Sequence, residues 1–547
     1  MNNSIIIILT AVFSSYHYIA RAEVYSSTAD VVQLANNEQL LVGLLETYLD
    51  NELARIKELQ THLEDIKKLL PENTETSIAN YAVNPVGAYS TIKRFAVTWT
   101  HFFAQISDLK HANNTALRGL ATDIVSLGLS HHIWPQVVDL NGAVAALVRL
   151  QKMYQIPVKE LADGNIRGMK VSRLGPDDCL RLGRAMLHSD YSSSSAALAI
   201  QWMEEAIRMH EQRHSANGEQ SLGDRSFQIE EAYSALADAH AQLGNVTAAA
   251  NFAMKAFVKD PENSSLKEKF LKYEDMSSGS HSQKKISRRN TTDSMYERLC
   301  RGDQWKDPKI EARLFCQYKN TLVPIRPVKE EVLYLDPRVS IFYDVITDKE
   351  AAILLELAKS KMIRAPLGDV AGEKTSEQRI GKLTWLWDAD VNTTVAHLSK
   401  RVEEITGLST VIRDKLADAE AWQIATYGIG GMFEPHHDFY VDEGWLNQLP
   451  SHLLNTGRRI ATFVFYLTDV QLGGATVFPE INVRVPPVKN AAAFWYNLKR
   501  SGDMYHASMH AGCPVLYGQK WIANKWTRER GQIFRRRCGL SPRATDE

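Results

Sequence analysis

The chain has 547 residues, too many for a single compact core, and this length suggests about three or four domains. Hydrophobic residues make up 44% of the chain and charged residues 23%, which is ordinary for a globular protein. The formal net charge is −1, so the composition gives no sign of the basic surface that a nucleic-acid partner requires.

The N-terminus carries an apolar run, Ile5–Phe13, followed by Ala20-Arg21-Ala22, which fits the small-x-small cleavage rule. This pattern predicts a signal peptide over residues 1–22 and a mature chain that starts near Glu23 in the secretory pathway. The alternative is a membrane anchor, but the apolar run is too short to span a bilayer. No other segment has the length of a transmembrane helix, so no transmembrane anchor is expected.

Secretion makes disulfides permissible. The spacing of the five cysteines favours the pairs Cys300–Cys316 and Cys513–Cys538, with Cys179 as a free thiol buried in an amphipathic helix. Spacing alone does not fix connectivity. Acceptor sequences for N-glycosylation, which fit a lumenal glycoprotein, begin at Asn113, Asn245, Asn263, Asn290 and Asn392.

Residues 23–165 predict a helical domain. A stripe with alternating spacings of three and four forms a heptad seam at Ile56, Leu59, Leu63, Ile66 and Leu70. The stripe continues upstream through Leu34, Leu41, Leu45 and Tyr48. Two interpretations stay open: a coiled coil that joins two chains, or one amphipathic helix packed on its own domain.

Residues 166–272 show a tandem helix-pair pattern with tetratricopeptide spacing. The second unit has Tyr233, Leu236, Gly244, Ala249, Ala253, Ala256 and Pro261, and the looser first unit has Leu182, Gly183, Ala199, Trp202 and Ala206. Such a module either binds an extended peptide or serves as scaffold. Residues 273–295 are polar and lack periodicity, which predicts a linker.

Residues 296–547 contain short strand-like runs separated by Gly, Pro and Asn turns. The runs are Ile460–Leu467, Ala475–Phe478, Val483–Val485, Ala492–Leu498 and Lys520–Trp526, with helical segments near Asp348–Ser360 and Asn392–Thr406. This pattern predicts a β-sandwich or barrel with helices outside. The whole chain is therefore expected to be a multidomain α+β protein with a helical N-terminal half.

A candidate metal site lies at His436-His437-Asp438. In an extended chain, residues i and i+2 point to the same side, so His436 and Asp438 face one ion while His437 points away. His510, 72 residues beyond Asp438, is the candidate third ligand. Two imidazoles and one carboxylate form a facial triad that suits Fe(II) and leaves positions open for a bidentate 2-oxo acid and O2.

Lys520 lies ten residues after His510 and shares strand parity with Ile522, Asn524 and Trp526. A cation there can pair with the distal carboxylate of 2-oxoglutarate, which would otherwise be a buried charge without a partner. Lys520 taken alone also fits a surface lysine on an edge strand.

The sequence around these residues resembles the catalytic domain of collagen-type prolyl 4-hydroxylase α subunits over about residues 335–540. The resemblance is carried by Tyr427–Phe439, Arg459-Ile-Ala-Thr, Gly473-Gly-Ala-Thr-Val-Phe-Pro-Glu, Phe494-Trp-Tyr-Asn-Leu, His510-Ala-Gly-Cys-Pro-Val-Leu and Lys520-Trp-Ile-Ala-Asn-Lys-Trp. It extends upstream through Leu299-Cys-Arg-Gly, the helix-pair module and Asn84-Pro-Val, and covers nearly the whole mature chain.

The resemblance implies a double-stranded β-helix, or jelly-roll, catalytic domain. It implies His436, Asp438 and His510 as iron ligands, Lys520 as the 2-oxoglutarate anchor and Tyr427 as a further candidate contact of 2-oxoglutarate. The implied reaction hydroxylates C4 of peptidyl proline and decarboxylates 2-oxoglutarate to succinate and CO2, with Fe(II), O2 and ascorbate.

The resemblance also implies an assembly in the lumen of the endoplasmic reticulum. Its parts are an N-terminal dimerisation domain, a peptide-substrate-binding module in which Tyr233 is a candidate contact, and protein disulfide isomerase as the β subunit of an α2β2 tetramer. The substrate is expected to be a proline-rich peptide.

The chain departs from the family near the triad. Phe433 stands where tyrosine is usual, Met509 where arginine is usual, and His437 where phenylalanine is usual. His437 is interpreted either as a solvent-facing neutral histidine or as a competitor for iron. In the helix-pair module, the register of the family's substrate-facing tyrosines is occupied by Ala235, Asp238 and Ala241, and Tyr233 lies outside it. Two interpretations stay open: the module binds polyproline II peptide weakly, or it binds a different sequence.

Three functional interpretations follow. The chain is an active peptidyl-prolyl 4-hydroxylase, an enzyme with the same chemistry and a non-collagen substrate set, or a non-catalytic α-like subunit that serves assembly or peptide binding. Retention of all three candidate ligands and of the lysine favours an enzyme, because a subunit without catalytic constraint would be expected to lose one of them.

Overall fold

A computed structural model describes residues 27–52, 57–100, 134–190, 192–215, 227–278, 294–365, 378–389, 393–412, 417–439 and 456–539, with the isolated positions 119, 122, 123, 126 and 541. The predicted signal peptide and the sequons at Asn113, Asn290 and Asn392 lie outside these residues. The chain divides into two units, one containing Ala29–Thr292 and the other Asp293–Glu547. Within the described residues, every helix is too short or too polar to cross a bilayer.

Helices form the first part of the first unit, as the hydrophobic periodicity predicts. They are α1 (Thr28–Glu52), α2 (Lys57–Leu69), α3 (Glu75–Val83), α4 (Pro85–Lys93), a π-helical turn (Arg94–Trp99), α5 (Val137–Tyr154) and α6 (Val158–Ala162). The buried guanidinium of Arg94 donates to both carboxylate oxygens of Glu38, which ties the π-helical turn to α1. Neither charge could be buried there without the other.

The predicted heptad seam is partly buried inside its own unit. Leu63 and Ile66 on α2 are each 5% exposed, and Leu70 is half-buried. Packing within the chain therefore accounts for these positions. Ile56 lies outside the described residues. A coiled coil between two chains stays a prediction for the rest of the seam.

Helix pairs form the second part of the first unit, after a hairpin of β1 (Asn165–Ile166) and β2 (Met169–Lys170). The helices are α7 (Pro176–His188), α8 (Ser193–Ser215), α9 (Ile229–Gln242), α10 (Val246–Lys259) and α11 (Ser264–Ser278). Small residues allow the close approach that the repeat pattern predicts. A Cβ atom on Gly183 would lie 3.0 Å from Met203 Cγ, and Ala249 and Ala253 are buried.

The linker predicted for residues 273–295 starts later than expected. Helix α11 continues to Ser278 because Tyr273 anchors it: this side chain is buried, and its hydroxyl donates to Asp238 Oδ1 at 2.8 Å. One buried tyrosine in a polar stretch produces no hydrophobic periodicity. The sequence pattern therefore placed the end of the helix too early.

The second unit contains the strands. Its elements are α12 (Met295–Arg301), α13 (Pro308–Glu311), β3 (Cys316–Lys319), β4 (Val328–Leu335), β5 (Arg338–Tyr343), α14 (Asp348–Lys359), β6 (Ile363–Arg364), β7 (Arg379–Ile380), β8 (Lys382–Leu386), α15 (Thr393–Thr406), β9 (Trp422–Tyr427), β10 (Met432–His436), β11 (Arg459–Tyr466), β12 (Leu472–Gly473), β13 (Thr476–Phe478), β14 (Val483–Val485), β15 (Ala492–Tyr496), β16 (His510–Gly512), β17 (Val515–Tyr517) and β18 (Lys520–Arg528). Short 3-10 turns cover Pro479–Ile481, His506–Ser508 and Glu529–Gln532.

Two sheets face each other in this unit. The larger has the order β3-β4-β5-β15-β11-β18-β9-β8-β6 and the smaller β14-β13-β16-β10-β7, while β12 pairs with β17. Helices α14 and α15 cover one face of the larger sheet through Leu354 and Leu398, and Val464 and Phe478 belong to the core between the sheets. Strand β11 is buried along its whole length as a result. This architecture agrees with the expected jelly-roll and its outer helices.

The expected disulfide pairs are wrong. The structure joins Cys300 to Cys513, with their Cα atoms 5.5 Å apart, and leaves Cys316 and Cys538 as exposed free cysteines. Cys300 lies on the buried side of α12, which packs on β13 and β14, whereas Cys316 begins the edge strand β3. Nearness in sequence therefore does not bring Cys300 and Cys316 together. Cys179 is free and buried, as predicted.

Removal of the Cys300–Cys513 bond by Cys300→Ser is expected to lower the free energy of unfolding by about 2–4 kcal/mol, since the bond closes a long loop. Cys316→Ser is the matched control and is expected to change it by no more than about 0.5 kcal/mol, as for most exposed positions. Chemical denaturation and peptide mapping without reduction check both points. A cross-linked peptide of Cys300 with Cys316 would contradict the pairing.

Candidate metal centre

Two histidines face each other across a pair of strands. Strands β10 and β16 are antiparallel, with His436 opposite His510. Asp438 follows β10 by two residues, and its oxygens lie 3.9 Å from His436 Nε2 and 3.6 Å from His510 Nε2. One ligand atom from each of the three residues lies within 4.8 Å of the others. The structure therefore brings together the triad that the sequence predicts.

Backbone carbonyl groups hold both imidazole rings. The Nδ1 atom of His436 lies 2.7 Å from the carbonyl oxygen of Glu434, and that of His510 lies 3.1 Å from the carbonyl oxygen of Ser508. A carbonyl oxygen only accepts, so each Nδ1 carries the proton and donates it. The lone pair of each ring is then on Nε2, the atom that faces Asp438, and this tautomer is the one that binds a metal.

The Asp438 carboxylate is held by a chain of hydrogen bonds from the larger sheet. The Thr462 hydroxyl on β11 donates to Asp438 Oδ2 at 2.6 Å, and Asn497 Nδ2 donates to Thr462 Oγ1 at 2.9 Å. All three side chains are buried. The carboxylate therefore has a fixed orientation before any ion binds. Thr462 and Asn497 belong to two of the segments that carry the family resemblance, but no local pattern assigned them a role, because they reach the site only through strand pairing.

Burial and mutual charge set the protonation of the triad. Burial lowers the pKa of His436 and of His510 below that of free imidazole, because a charged ring would lose its hydration. Burial alone would raise the pKa of Asp438, but at the acidic pH where this carboxyl titrates His510 and His436 are protonated, and their charges together with that of the nearby Arg459 lower its pKa. Two neutral imidazoles and one carboxylate are the states in which these groups bind a divalent cation.

Lys520 is a buried cation without an anionic partner among the described residues. The side chain is 4% exposed, and its Nζ lies 6.0 Å from the ring centre of Tyr427 and 5.7 Å from that of Tyr466. Burial lowers the pKa of Lys520 to about 7. Lys520 is therefore a buried residue and not a surface lysine, and its role as the 2-oxoglutarate anchor stays a prediction. Tyr427 is the residue opposite Lys520 on β9.

The triad and Lys520 line one cavity between the two sheets, with a volume of about 250 Å³. Apolar and aromatic walls connect them, including Val464, Trp495 and Ile522. The cavity therefore offers three ligand atoms at one place and a cation at another, which suits a small dianion bound at both ends.

Phe433, which replaces the usual tyrosine, stacks on the ligand His436 with ring centres 3.5 Å apart. The guanidinium of Arg379 lies over the Phe433 ring, 4.7 Å from its centre, and Arg379 Nη2 donates to Gln423 Oε1 at 2.7 Å. Phe433 thus serves as a wall of the site. Arg379 was missed in the sequence, because it comes from the two-residue strand β7.

Tyr233, the candidate peptide contact, lies in the first unit on α9. It is half-buried, stacks on Phe252 with ring centres 6.3 Å apart, and lies 5.8 Å from Lys255 Nζ. Asp238 accepts hydrogen bonds from Tyr273 and Lys269, so it contributes to helix packing.

The donor set fits iron. Two imidazole nitrogens and a carboxylate that converge from one side form the ligand set of Fe(II) oxygenases, and this arrangement leaves the opposite side open. The orientation of both Nε2 lone pairs and the unpaired ammonium of Lys520 are the observations on which this fit rests.

Two family models match the chain. "Prolyl 4-Hydroxylase alpha-subunit, N-terminal region" matches residues 27–168, and "2OG-Fe(II) oxygenase superfamily" matches residues 422–528, a range that contains the triad and Lys520. Human prolyl 4-hydroxylase subunit alpha-3 is 34% identical over 96% of this chain and 95% of its own length. The chain belongs to the prolyl 4-hydroxylase α-subunit family.

Other members of the prolyl 4-hydroxylase α-subunit family align as completely. Subunit alpha-1 of Rattus norvegicus is 32% identical over 94% of this chain and 96% of its own length. Among solved structures, a 2OG complex of a viral collagen prolyl hydroxylase from Paramecium Bursaria Chlorella virus-1 has 24% identity, a TM-score of 0.27, and covers 35% of this chain and 95% of its own. The oxygenase match identifies Fe(II) and 2-oxoglutarate as the cofactors of this domain.

Proposed function

We propose that the chain hydroxylates C4 of peptidyl proline in collagen-like or other proline-rich secretory proteins and couples this to the oxidative decarboxylation of 2-oxoglutarate to succinate and CO2. The observation that carries the proposal is a single cavity holding a pre-oriented His436, Asp438 and His510 triad together with the unpaired Lys520. Relatives named prolyl 4-hydroxylase that align over almost the whole chain support it.

The proposed iron ligands are His436 Nε2, His510 Nε2 and the Asp438 carboxylate. Bound there, Fe(II) would supply the oxygen chemistry that joins decarboxylation of the co-substrate to hydroxylation of the peptide. Thr462 keeps the Asp438 carboxylate turned towards both rings, and the Nδ1 bonds of the histidines keep their Nε2 atoms unprotonated. This preorganisation removes the need to reorient the ligands when the ion arrives.

Lys520 is proposed to bind the distal carboxylate of 2-oxoglutarate. A buried ammonium is unfavourable without an anionic partner, and the distal carboxylate of 2-oxoglutarate would supply one. The resulting charge-assisted hydrogen bond would select a co-substrate with a carboxylate at that end. The rings of Tyr427 and Tyr466 lie beside the ammonium and favour its charged form through their faces. Tyr427 is proposed as a further wall of the co-substrate site.

The wider assembly is also part of the proposal. The relatives are named as subunits, which supports an assembled enzyme. We propose protein disulfide isomerase as the β subunit, dimerisation of the α chain into an α2β2 tetramer, the lumen of the endoplasmic reticulum as the location, and ascorbate as the reductant after uncoupled cycles.

Tyr233→Ala is expected to raise the KM for a proline-rich peptide by roughly two- to tenfold, the loss that removal of one aromatic contact brings. One side of the ring packs on Phe252, and its exposed part is proposed to contact a proline ring of a polyproline II ligand. Tyr273→Phe is the matched control on the same module, because its ring is buried and its hydroxyl serves helix packing. Steady-state kinetics on peptides of increasing length check this, and an unchanged KM would remove Tyr233 from the peptide site.

The deciding experiment is a turnover assay on the chain co-expressed with protein disulfide isomerase. It follows succinate release and proline oxidation on a (Pro-Pro-Gly)-repeat peptide with and without Fe(II). Iron-dependent 4-hydroxyproline is the expected result. Succinate release without hydroxylated peptide would show that the iron site works and that the substrate class is wrong. Absence of both products from an assembled complex would overturn the proposal in favour of a non-catalytic subunit.

A further inference from the structure

His437 lies between two proposed ligands, but its ring serves a different purpose. The Nε2 atom of His437 lies 3.0 Å from the backbone carbonyl oxygen of His506. The ring packs on Phe439 with centres 4.5 Å apart and meets the His506 ring edge-on at 5.7 Å. His437 is half-buried, and its Nε2 donates to a specific carbonyl oxygen, so this nitrogen offers no lone pair to a metal ion.

The acceptor belongs to the turn that leads into the third ligand. The 3-10 turn His506–Ser508 ends two residues before His510, and the Ser508 carbonyl oxygen accepts from His510 Nδ1. The turn is itself fixed, since the Ser508 hydroxyl donates to the carbonyl oxygen of Tyr505 at 2.7 Å. One rigid turn thus orients His510 directly and receives the hydrogen bond of His437.

The strand ladder ends at His436, and the bond of His437 lies just beyond this end. Strands β10 and β16 pair at His436 with His510 and at Phe433 with Gly512, and their register is irregular between these pairs. Asp438 follows the end of β10, so no ladder bond of that strand holds it. The residue between His436 and Asp438 is the one whose side chain reaches across to the other ligand-bearing segment.

We infer that His437 is a positioning residue of the metal centre: its bond to the His506 carbonyl joins the segment that carries His436 and Asp438 to the turn that leads into His510. The inference rests on the proposed metal site. This role requires a histidine at position 437. The phenylalanine that is usual here in the family is also aromatic, but it has no proton to donate.

The test compares His437→Phe and His437→Gln with the full-length chain in its complex. His437→Phe keeps the aromatic packing and removes the donor, whereas His437→Gln keeps a donor at about the same reach. His437→Phe is expected to weaken Mn(II) and anaerobic Fe(II) binding by roughly two- to tenfold, the range of one net hydrogen bond. His437→Gln is expected to recover most of this affinity, and the KM for peptide is expected to stay unchanged in both.

His506→Phe is the matched control, because His506 contributes its backbone carbonyl and the substitution keeps that carbonyl. Metal titration followed by electron paramagnetic resonance for Mn(II), with the Tm of the metal-free protein beside it, separates positioning from stability. A His437→Phe protein with a lowered Tm and wild-type metal affinity would overturn the inference. Failure of the wild-type chain to bind either ion would instead overturn the proposed function.

Discussion

Asp438→Ala is expected to abolish hydroxylation and to leave the fold intact. The substitution removes the charged ligand of the triad, so metal affinity is expected to fall by more than about 100-fold, the upper end of the loss seen when only an outer-shell partner is removed. The Thr462 hydroxyl loses its acceptor, with an expected loss of stability of about 1–3 kcal/mol. His436→Ala and His510→Ala are expected to have the same effect on turnover.

Thr462→Val provides a graded comparison with Asp438→Ala, since it keeps the ligand and removes only the hydrogen bond that orients it. Metal affinity is expected to fall by roughly 10- to 100-fold in this variant. Metal content, succinate release and thermal unfolding are measured on each purified complex. Full activity in any variant of His436, Asp438 or His510 would show that the ligand assignment is wrong.

Lys520→Met is expected to raise the KM for 2-oxoglutarate by roughly 10- to 150-fold, which corresponds to a charge-assisted hydrogen bond of about 1.5–3 kcal/mol. Metal affinity is expected to change little, because Lys520 supplies none of the candidate ligand atoms. Methionine keeps the length and the apolar contacts of the side chain and removes the charge. Calorimetric titration with 2-oxoglutarate in the presence of Mn(II) measures the effect without turnover.

Lys525→Met is the matched control, because Lys525 is a second buried lysine on β18 that does not line the cavity. It lies 3.4 Å from Asp388 and over the ring of Trp422, and burial lowers its pKa to about 8. Its removal leaves the lining of the co-substrate cavity unchanged, so an unchanged KM for 2-oxoglutarate is expected. A raised KM in both variants would show that the effect is general destabilisation.

Lys520→Met is also expected to change the stability of the ligand-free protein. Burial lowers the pKa of Lys520 to about 7, so between that pH and its ordinary value of 10.5 the unfolded chain binds a proton that the folded chain does not. The free energy of unfolding of the ligand-free protein therefore rises with pH across this window. Below the window, the buried charge of Lys520 lowers that free energy by its full amount. Lys520→Met is expected to raise the Tm at neutral pH and to remove this part of the pH dependence.

The sequence predicted those parts of the site that depend on local geometry. The i and i+2 spacing placed His436 and Asp438 on one side, and strand parity placed Lys520 towards the cavity, as the structure has them. Thr462 and Asn497 could not be predicted, because their roles arise when β11 and β15 pair beside the triad. Hydrogen bonds between distant strands leave no periodicity in the sequence.

The fold shows the same division. Strands β14 and β18 and the helices α14 and α15 lie close to the predicted segments, because each has a clear apolar pattern bounded by turn residues. The two-residue strands β6 and β7 carry too few residues to show alternation, and β7 supplies Arg379. The predicted disulfide pairing was wrong because cysteines that are close in sequence need not be close in space. Cys300 and Cys316 lie on different elements, a helix and an edge strand.

The position of the Cys300–Cys513 bond sets an order of events during synthesis. The partners are separated by 213 residues, whereas Cys316 follows Cys300 after only sixteen. At translation rates of about 5–20 residues per second, Cys300 and Cys316 are both available roughly ten to forty seconds before Cys513 emerges. In the oxidising lumen proposed for this chain, the first two thiols can pair during that interval. A chain that has formed this non-native pair reaches the native bond only by thiol–disulfide exchange, which an isomerase accelerates.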